Sequence, residues 1–373
     1  MSYAFELGPI RPPSEAYSIL IRITRNCPWN KCAFCHTYKG QPFSRRAIED
    51  ILNDIDSIHT IAQRIGEVAG NTITQQTLQK AKGNDDTPLY YYEQVAFWMS
   101  YGFKSVFLQD ANSLVLSTRD MATILQHITS RFPAVERITT YARASTISKK
   151  TLEDLIAIRQ AGLSRLHIGM ESGSDPVLQL VKKGITQAQL IDAGQKAMQA
   201  GFDVSYYYMP GLGGKEYMEE NAIQSATVIN TVNPTFVRLR STVPIPGTPL
   251  YDMMQKGQWT PLSEIQKVQE IRTFIEHCNG ITSTLKSDHI MNLLEDVEGT
   301  FSHDKATMLS RIDEFLSMKK EDQDKFIIGR RIGMYRYLSD YYPNFKIDQL
   351  YYAIVKNYQN VDAAMLEILK DYV

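Results

Sequence analysis

Between residues 100 and 250 of this 373-residue chain, strand-like and helix-like segments alternate with a repeat of about thirty-five residues, the length of one βαβ unit. Short apolar runs rich in β-branched and aromatic residues occupy 103–109 (FKSVFLQ), 137–143 (RITTYAR), 165–171 (RLHIGME), 203–209 (DVSYYYM) and 235–242 (TFVRLRST). A run of the same kind, YSILIRIT, lies upstream at 17–24. The stretches between them carry helix signals. Ser117 and Asp120 can cap a helix with Met121, Ile124, Leu125 and Ile128 on one face, and Ser148 can cap one with Leu152, Leu155 and Ile156 inward. Thr186 and Gln189 form a capping box, and a further helix falls near 219–231. Strands alternating with helices dictate right-handed βαβ units around a parallel sheet or barrel. Six strands are too few for a closed eightfold barrel, so the pattern predicts an α/β fold, a partial (β/α)6 TIM-like barrel. Its chemistry is expected at the C-terminal ends of the strands, where the loops converge.

Two regions depart from the repeat. About eighty residues separate the first two strands, holding a cysteine-rich loop, a helix near 47–58 and a polar insertion at 66–88 ahead of 90–98. After residue 250 the chain reads as mostly helical, with helices over 263–278, 305–318, 321–338, 347–357 and 361–372 and many tyrosines at core-like spacing. The expected organisation is a barrel over 1–255, with an insertion at about 60–98, and a helical C-terminal region over 256–373 covering it. The chain is 43% hydrophobic with a formal net charge of −1. That balance disfavours nucleic acid as a partner, because phosphate binding relies on a basic excess. No run of eighteen apolar residues and no signal-peptide core occurs, so the expected location is the cytoplasm.

Three of the four cysteines fall within nine residues, as Cys27-x4-Cys32-x2-Cys35 in NCPWNKCAFCHTY directly after the first strand. In a reducing compartment such a group reads as metal binding before disulfides. Three thiolates can hold three irons of a [4Fe–4S] cube and leave the fourth open. A zinc site completed by His36 competes, although zinc sites normally space such ligands further apart. Three unrelated buried thiols are the remaining reading. Cys278, alone at a helix end, reads as a small buried hydrophobe.

With that loop placed after a first strand, the sequence resembles the radical S-adenosylmethionine (SAM) superfamily, across roughly residues 15–255. The family's usual spacing is x3 then x2, so x4 here is a variant. The stretches HIGMESGSDPVLQLVKKGIT (167–186), MPGLGG (209–214) and PIPGTPLYD (244–252) are similar to those of oxygen-independent coproporphyrinogen oxidases and methylthiotransferases. The resemblance implies that Cys27, Cys32 and Cys35 hold one [4Fe–4S] cluster and that Phe34 lies against the SAM adenine. It implies that Glu171 reaches the ribose or methionyl group and that Lys183 pairs with the carboxylate. Gln109 and Asp110 match the amino-group segment by position only, and Arg143 faces the same mouth, toward SAM or substrate. The mechanism implied is reductive cleavage of SAM to a 5′-deoxyadenosyl radical that takes hydrogen from an organic substrate, with flavodoxin or ferredoxin as electron donor. A single cysteine outside the loop leaves no set for a second cluster. Catalytic residues beyond the cofactor contacts are not assigned. Competing functions are an RNA-modifying radical enzyme and a zinc-stabilised scaffold. A heme-handling role would rest on His289 and His303, which as lone histidines read as structural or exposed.

Overall fold

A computed structural model describes residues 2–70, 72–358 and 360–369. The chain forms two compact units, one of Met1–Pro28, Gly40–Ile168 and Gln195–Val204, the other of Trp29–Lys39, Gly169–Gly194 and Ser205–Val373.

In the first unit the strands are β1 (Ile19–Arg22), β2 (Thr24–Arg25), β3 (Ser44–Arg45), β4 (Ser105–Gln109), β5 (Arg137–Ala142) and the start of β6 (Arg165–Glu171). β1 pairs parallel with β4, β4 with β5 and β5 with β6, in registers that include Ile19↔Val106, Ser105↔Arg137 and Thr139↔Arg165. Ile19, Leu20 and Ile21 are all buried, the continuous apolar signature of a strand covered on both faces. The helix Ile48–Val68 turns Ile51, Ile55, Ile58, Ile61 and Ile65 inward, one apolar stripe at helical spacing. Each such side chain contributes roughly 2 kcal/mol on full burial. Ser117 caps the helix Thr118–Arg131 by accepting from the Asp120 N–H at 3.0 Å, as its sequence predicts. The next helix, Leu152–Gln160, is capped by Thr151 and not by Ser148. Ser148 instead closes the short helix Ala144–Ile147 that precedes it.

The polar insertion is an ordered helical layer. The helices Gln75–Lys82 and Leu89–Ser100 lie beside Ile48–Val68. Asp85 ties them together, accepting from Arg64 and from the Tyr92 hydroxyl at 2.6 Å each. Tyr92 and Trp98 are buried beneath. The charged residues of the insertion thus cover an apolar helix face.

The second unit takes in the end of β6, most of β7 (Asp203–Tyr208), β8 (Phe236–Leu239), β9 (Thr284–Lys286) and β10 (Gly299–Thr300). β7, β8 and β9 run parallel, and β10 returns antiparallel to β9. Strand order is β1-β4-β5-β6-β7-β8-β9-β10, with β2–β3 a separate ribbon. All six predicted strands are present, and the architecture is the α/β partial barrel with a mostly helical C-terminal region. β9 and β10 were not foreseen, since runs of three and two residues carry no readable period.

The helices Phe301–Ser317, Lys320–Arg331, Phe345–Asn357 and Val361–Leu369 follow. The second of them stops seven residues before its expected end at 338, where Gly333 takes φ +76°. The last expectation extends past Leu369, outside the described residues. Tyr335 is buried and stacks on Phe326, whereas Tyr342 and Tyr352 are exposed.

Candidate active site

The cysteine loop is held by its backbone. In the second unit the Ala33 N–H donates to Val181 O at 2.8 Å, and the Leu250 N–H donates to Ala33 O at 2.9 Å. Ala33 lies between Cys32 and Phe34, so two distant stretches, 177–184 and 248–252, grip the middle of the motif. The Trp29 indole donates to Lys182 O at 2.8 Å, and its ring covers Gly184, whose φ is +69°. Ala33, Val177, Val181, Leu212, Leu250 and Trp259 form the apolar cluster underneath, with Phe34 against it. Asn30 Nδ2 donates to Tyr38 O at 2.6 Å, and the Cys35 N–H closes a turn onto Cys32 O at 3.4 Å. In the first unit the loop's base is stapled by the β2–β3 ribbon and by Asn26 Nδ2 donating to Pro42 O at 2.7 Å.

All four cysteines are free thiols. Cys32 is buried, and Cys27 and Cys35 are half-buried. Cys27 belongs to the first unit, Cys32 and Cys35 to the second. Among the described residues no three His, Cys, Asp or Glu side chains are already drawn together as metal ligands. The donor set is nonetheless one of soft thiolates on an anchored loop, which suits iron–sulfur chemistry. Cys278 is buried, and burial pushes its thiol well above the ordinary range, as for an inert structural cysteine.

At the end of β6, Glu171 adopts φ +65°. A non-glycine residue there costs on the order of 1 kcal/mol and draws attention to the position. Its Oε1 accepts from Lys183 Nζ at 2.8 Å, and that ammonium also stands 5.8 Å from the centre of the Phe34 ring. Three of the expected SAM contacts, Phe34, Glu171 and Lys183, therefore meet in one unit. Gly169 leaves room for them, because a Cβ at that position would run into Glu171 Oε1 and Lys183 Nζ. We expect Gly169→Ala to displace the pair and raise the dissociation constant for SAM roughly tenfold. Equilibrium dialysis against labelled SAM measures it, and an unchanged constant would remove the pair from the site.

The expected contacts in the first unit are occupied differently. Gln109 accepts from the Gly8 N–H at 2.8 Å and donates to Gly8 O at 3.1 Å. Asp110 is fully buried at φ +77° and receives Arg22 Nε at 2.6 Å. Contact with SAM through the Gln109 amide would compete with its bonds to Gly8, whereas the Arg22 bond takes only Oδ2 of Asp110. The Arg143 N–H donates to Asn112 Oδ1 at 3.1 Å, which fixes the backbone at the end of β5.

A cleft in the second unit adjoins the motif. Phe34, Cys35, His36, Met209, Arg240 and His289 are among its walls. Its far side is built by the loop after β9. Asn292 is buried, accepts from the Ser241 N–H at 3.0 Å and donates to Leu239 O at 2.9 Å, docking that loop on the end of β8. Arg240 is not among the expected site residues, its only sequence signal being a position at a strand end, and His289 is named only for a heme-handling role. Of the tyrosines at 206–208, Tyr206 and Tyr208 turn to the helices, donating to Leu190 O and Glu270 Oε1. Tyr207 alone of the three sits on the face shared with Arg238.

A parallel βα sheet that carries its thiols on the loop after the first strand, and charged side chains at later strand ends, is the framework of a cofactor-dependent α/β enzyme. The sequence model of the Radical SAM superfamily matches residues 21–226, and the chain belongs to that superfamily. It is thus an enzyme of SAM-dependent radical chemistry whose cofactors are a [4Fe–4S] cluster and SAM. The tRNA uridine(34) acetyltransferase of Methanocaldococcus infernus is 27% identical over 130 residues, 35% of this chain and 24% of that protein. Its counterpart from Methanocaldococcus jannaschii is 28% identical over 111 residues, 30% of this chain and 20% of that one. The match therefore spans about a quarter or less of the length of these relatives. The crystal structure of methylornithine synthase is similar with a TM-score of 0.44 and 17% identity, covering 83% of this chain and 84% of that one.

Proposed function

We infer that Cys27, Cys32 and Cys35 hold the single cluster, and that the enzyme uses it to take a hydrogen atom from an organic substrate. The observation that carries this reading is the double grip on Ala33, which ties the cysteine loop to the segment bearing Lys183. Bound together, cluster and SAM supply reductive cleavage to a 5′-deoxyadenosyl radical. The chain's own residues do the rest. Lys183 offers charge to the SAM carboxylate, Glu171 a carboxylate to its ribose or methionyl group, and Phe34 an apolar face to its adenine. Gln109 and Asp110 are assigned to the SAM amino group, and Arg143 to SAM or substrate. Residues 1–255 act as the catalytic barrel with its insertion at about 60–98, and 256–373 as its helical cover. A small reductant such as flavodoxin or ferredoxin supplies the electron, in the cytoplasm. Among the described residues no helix is long and apolar enough to cross a membrane.

Anaerobic reconstitution tests the reading. The wild-type chain should be brown, with about four irons and broad absorption near 400 nm. Cys32→Ala and Cys35→Ala should each fall below about one iron and release at least a hundredfold less 5′-deoxyadenosine. A colourless protein holding one zinc would overturn it. A second reading, an RNA substrate, draws on the likeness to proteins named for a tRNA uridine. Binding to tRNA that falls steeply with salt would support it, whereas the net charge of −1 stands against it.

A further inference from the structure

The cleft beside Cys35 contains a cation that the fold does not use. Around it the basic side chains are paired: Arg238 with Asp288, Arg330 with Glu295, and Arg331 and Lys267 with Glu264. Among the described residues no carboxylate pairs with the Arg240 guanidinium, and no acidic side chain lines the cleft. Arg240 is held in place at its backbone, where its N–H donates to Tyr208 O at 2.9 Å. Its charge reaches two histidines on facing segments. Burial, reinforced by Arg240, holds His36 below its usual range and brings His289 down to about 4. His289 is therefore neutral at physiological pH. The Met291 N–H donates to its Nδ1 at 3.2 Å, which places the ring proton on Nε2. That Nε2–H has no protein acceptor among the described residues.

A guanidinium without a counter-ion and a neutral imidazole N–H in a wall without carboxylates are complementary to one chemistry, an oxyanion. We propose that this cleft is an anion subsite in which Arg240 and His289 hold a carboxylate or phosphate group of the molecule the enzyme acts on. The proposal rests on the reading of the cysteine loop given above, since Cys35 lines the same cleft. It defines the substrate class as an organic acid or phosphate ester. SAM also carries a carboxylate, and Lys183, over the Phe34 ring, is the cation assigned to it.

The test uses cluster-loaded enzyme with inorganic phosphate and acetate as probes, against chloride at matched ionic strength. The shift of the thermal midpoint with probe concentration gives each dissociation constant. Wild type should show saturable stabilisation that persists with SAM present. Arg240→Gln should bind phosphate at least about tenfold more weakly and Arg240→Lys a few-fold more weakly, with SAM affinity changed less than about threefold. Arg240 is exposed and holds no ion pair, so neither variant threatens the fold. Two results would overturn the proposal. One is equal phosphate binding by wild type and Arg240→Gln. The other is loss of the phosphate response on adding SAM, together with a tenfold weaker SAM affinity in Arg240→Gln, which gives this cation to SAM itself. Failure of the cysteine reading registers separately, as missing iron in the wild-type chain.

Discussion

Gly184→Val is expected to abolish cluster assembly while leaving most of the protein folded. Position 184 sits at φ +69°, and its missing side chain is replaced by the Trp29 ring, which a Cβ would penetrate. A β-branched residue in that left-handed conformation costs about 1–2 kcal/mol before any clash. Expelling the indole forfeits its contact with the glycine and its hydrogen bond to Lys182 O, a further loss of about 1–2 kcal/mol. The total, roughly 3 kcal/mol, falls on a short loop and not on the sheet, so local opening absorbs it. Reconstituted protein should carry less than about one iron per chain and release at least a hundredfold less 5′-deoxyadenosine. The thermal midpoint of the metal-free protein should drop by only a few degrees. A variant that takes up four irons with wild-type turnover would show that the Trp29 contact does not position the loop.

Glu270→Ala should give the largest loss of stability. This carboxylate is fully buried and accepts from Tyr208 OH at 2.7 Å, Asn221 Nδ2 at 2.6 Å and the Gly211 N–H at 2.9 Å. It thereby pins the Met209–Gly214 turn, whose first residue walls the cleft. Alanine leaves three buried donors without their acceptor, a cost of about 3–5 kcal/mol measured by denaturant unfolding. The pH dependence identifies the group. Burial raises Glu270 from 4.5 to about 7 against the three donors. Between those values the folded chain keeps a proton that the unfolded chain has released. Stability should therefore fall as pH rises from about 4.5 to 7, by up to roughly 3 kcal/mol, and then level off. The alanine variant should lack that slope. An unchanged slope would assign the titration to another group.

The local periods of the chain reach a long way. Short apolar runs rich in β-branched and aromatic residues marked β1, β4, β5, β6, β7 and β8, and the 3.6-residue stripe marked the helix Thr118–Arg131 with its cap. Both signals depend only on neighbours within one element, so they survive in the sequence. The three cysteines after β1 stood out as one contiguous motif, whereas Phe34, Glu171 and Lys183 came from the family resemblance, and the fold brings these last three side chains together. The helices of the insertion were less legible, because their fastening runs through one half-buried carboxylate, Asp85, that draws Arg64 and Tyr92 together from separate elements.

What tertiary structure decided are the partners. Asp110 at a strand end looks ready for an ammonium, yet Arg22, eighty-eight residues away, already donates to its Oδ2. Arg240 looks like one more surface arginine, and only the neutralisation of Arg238, Arg330 and Arg331 by distant acids leaves it as the unspent charge beside Cys35. The sequence by itself determined the α/β repeat, the thiol loop and the family. Which charge is consumed by the fold and which is left for a ligand depends on the identity of the side chain opposite. That identity is set by packing between segments 35 to 88 residues apart, for which the chain carries no local period.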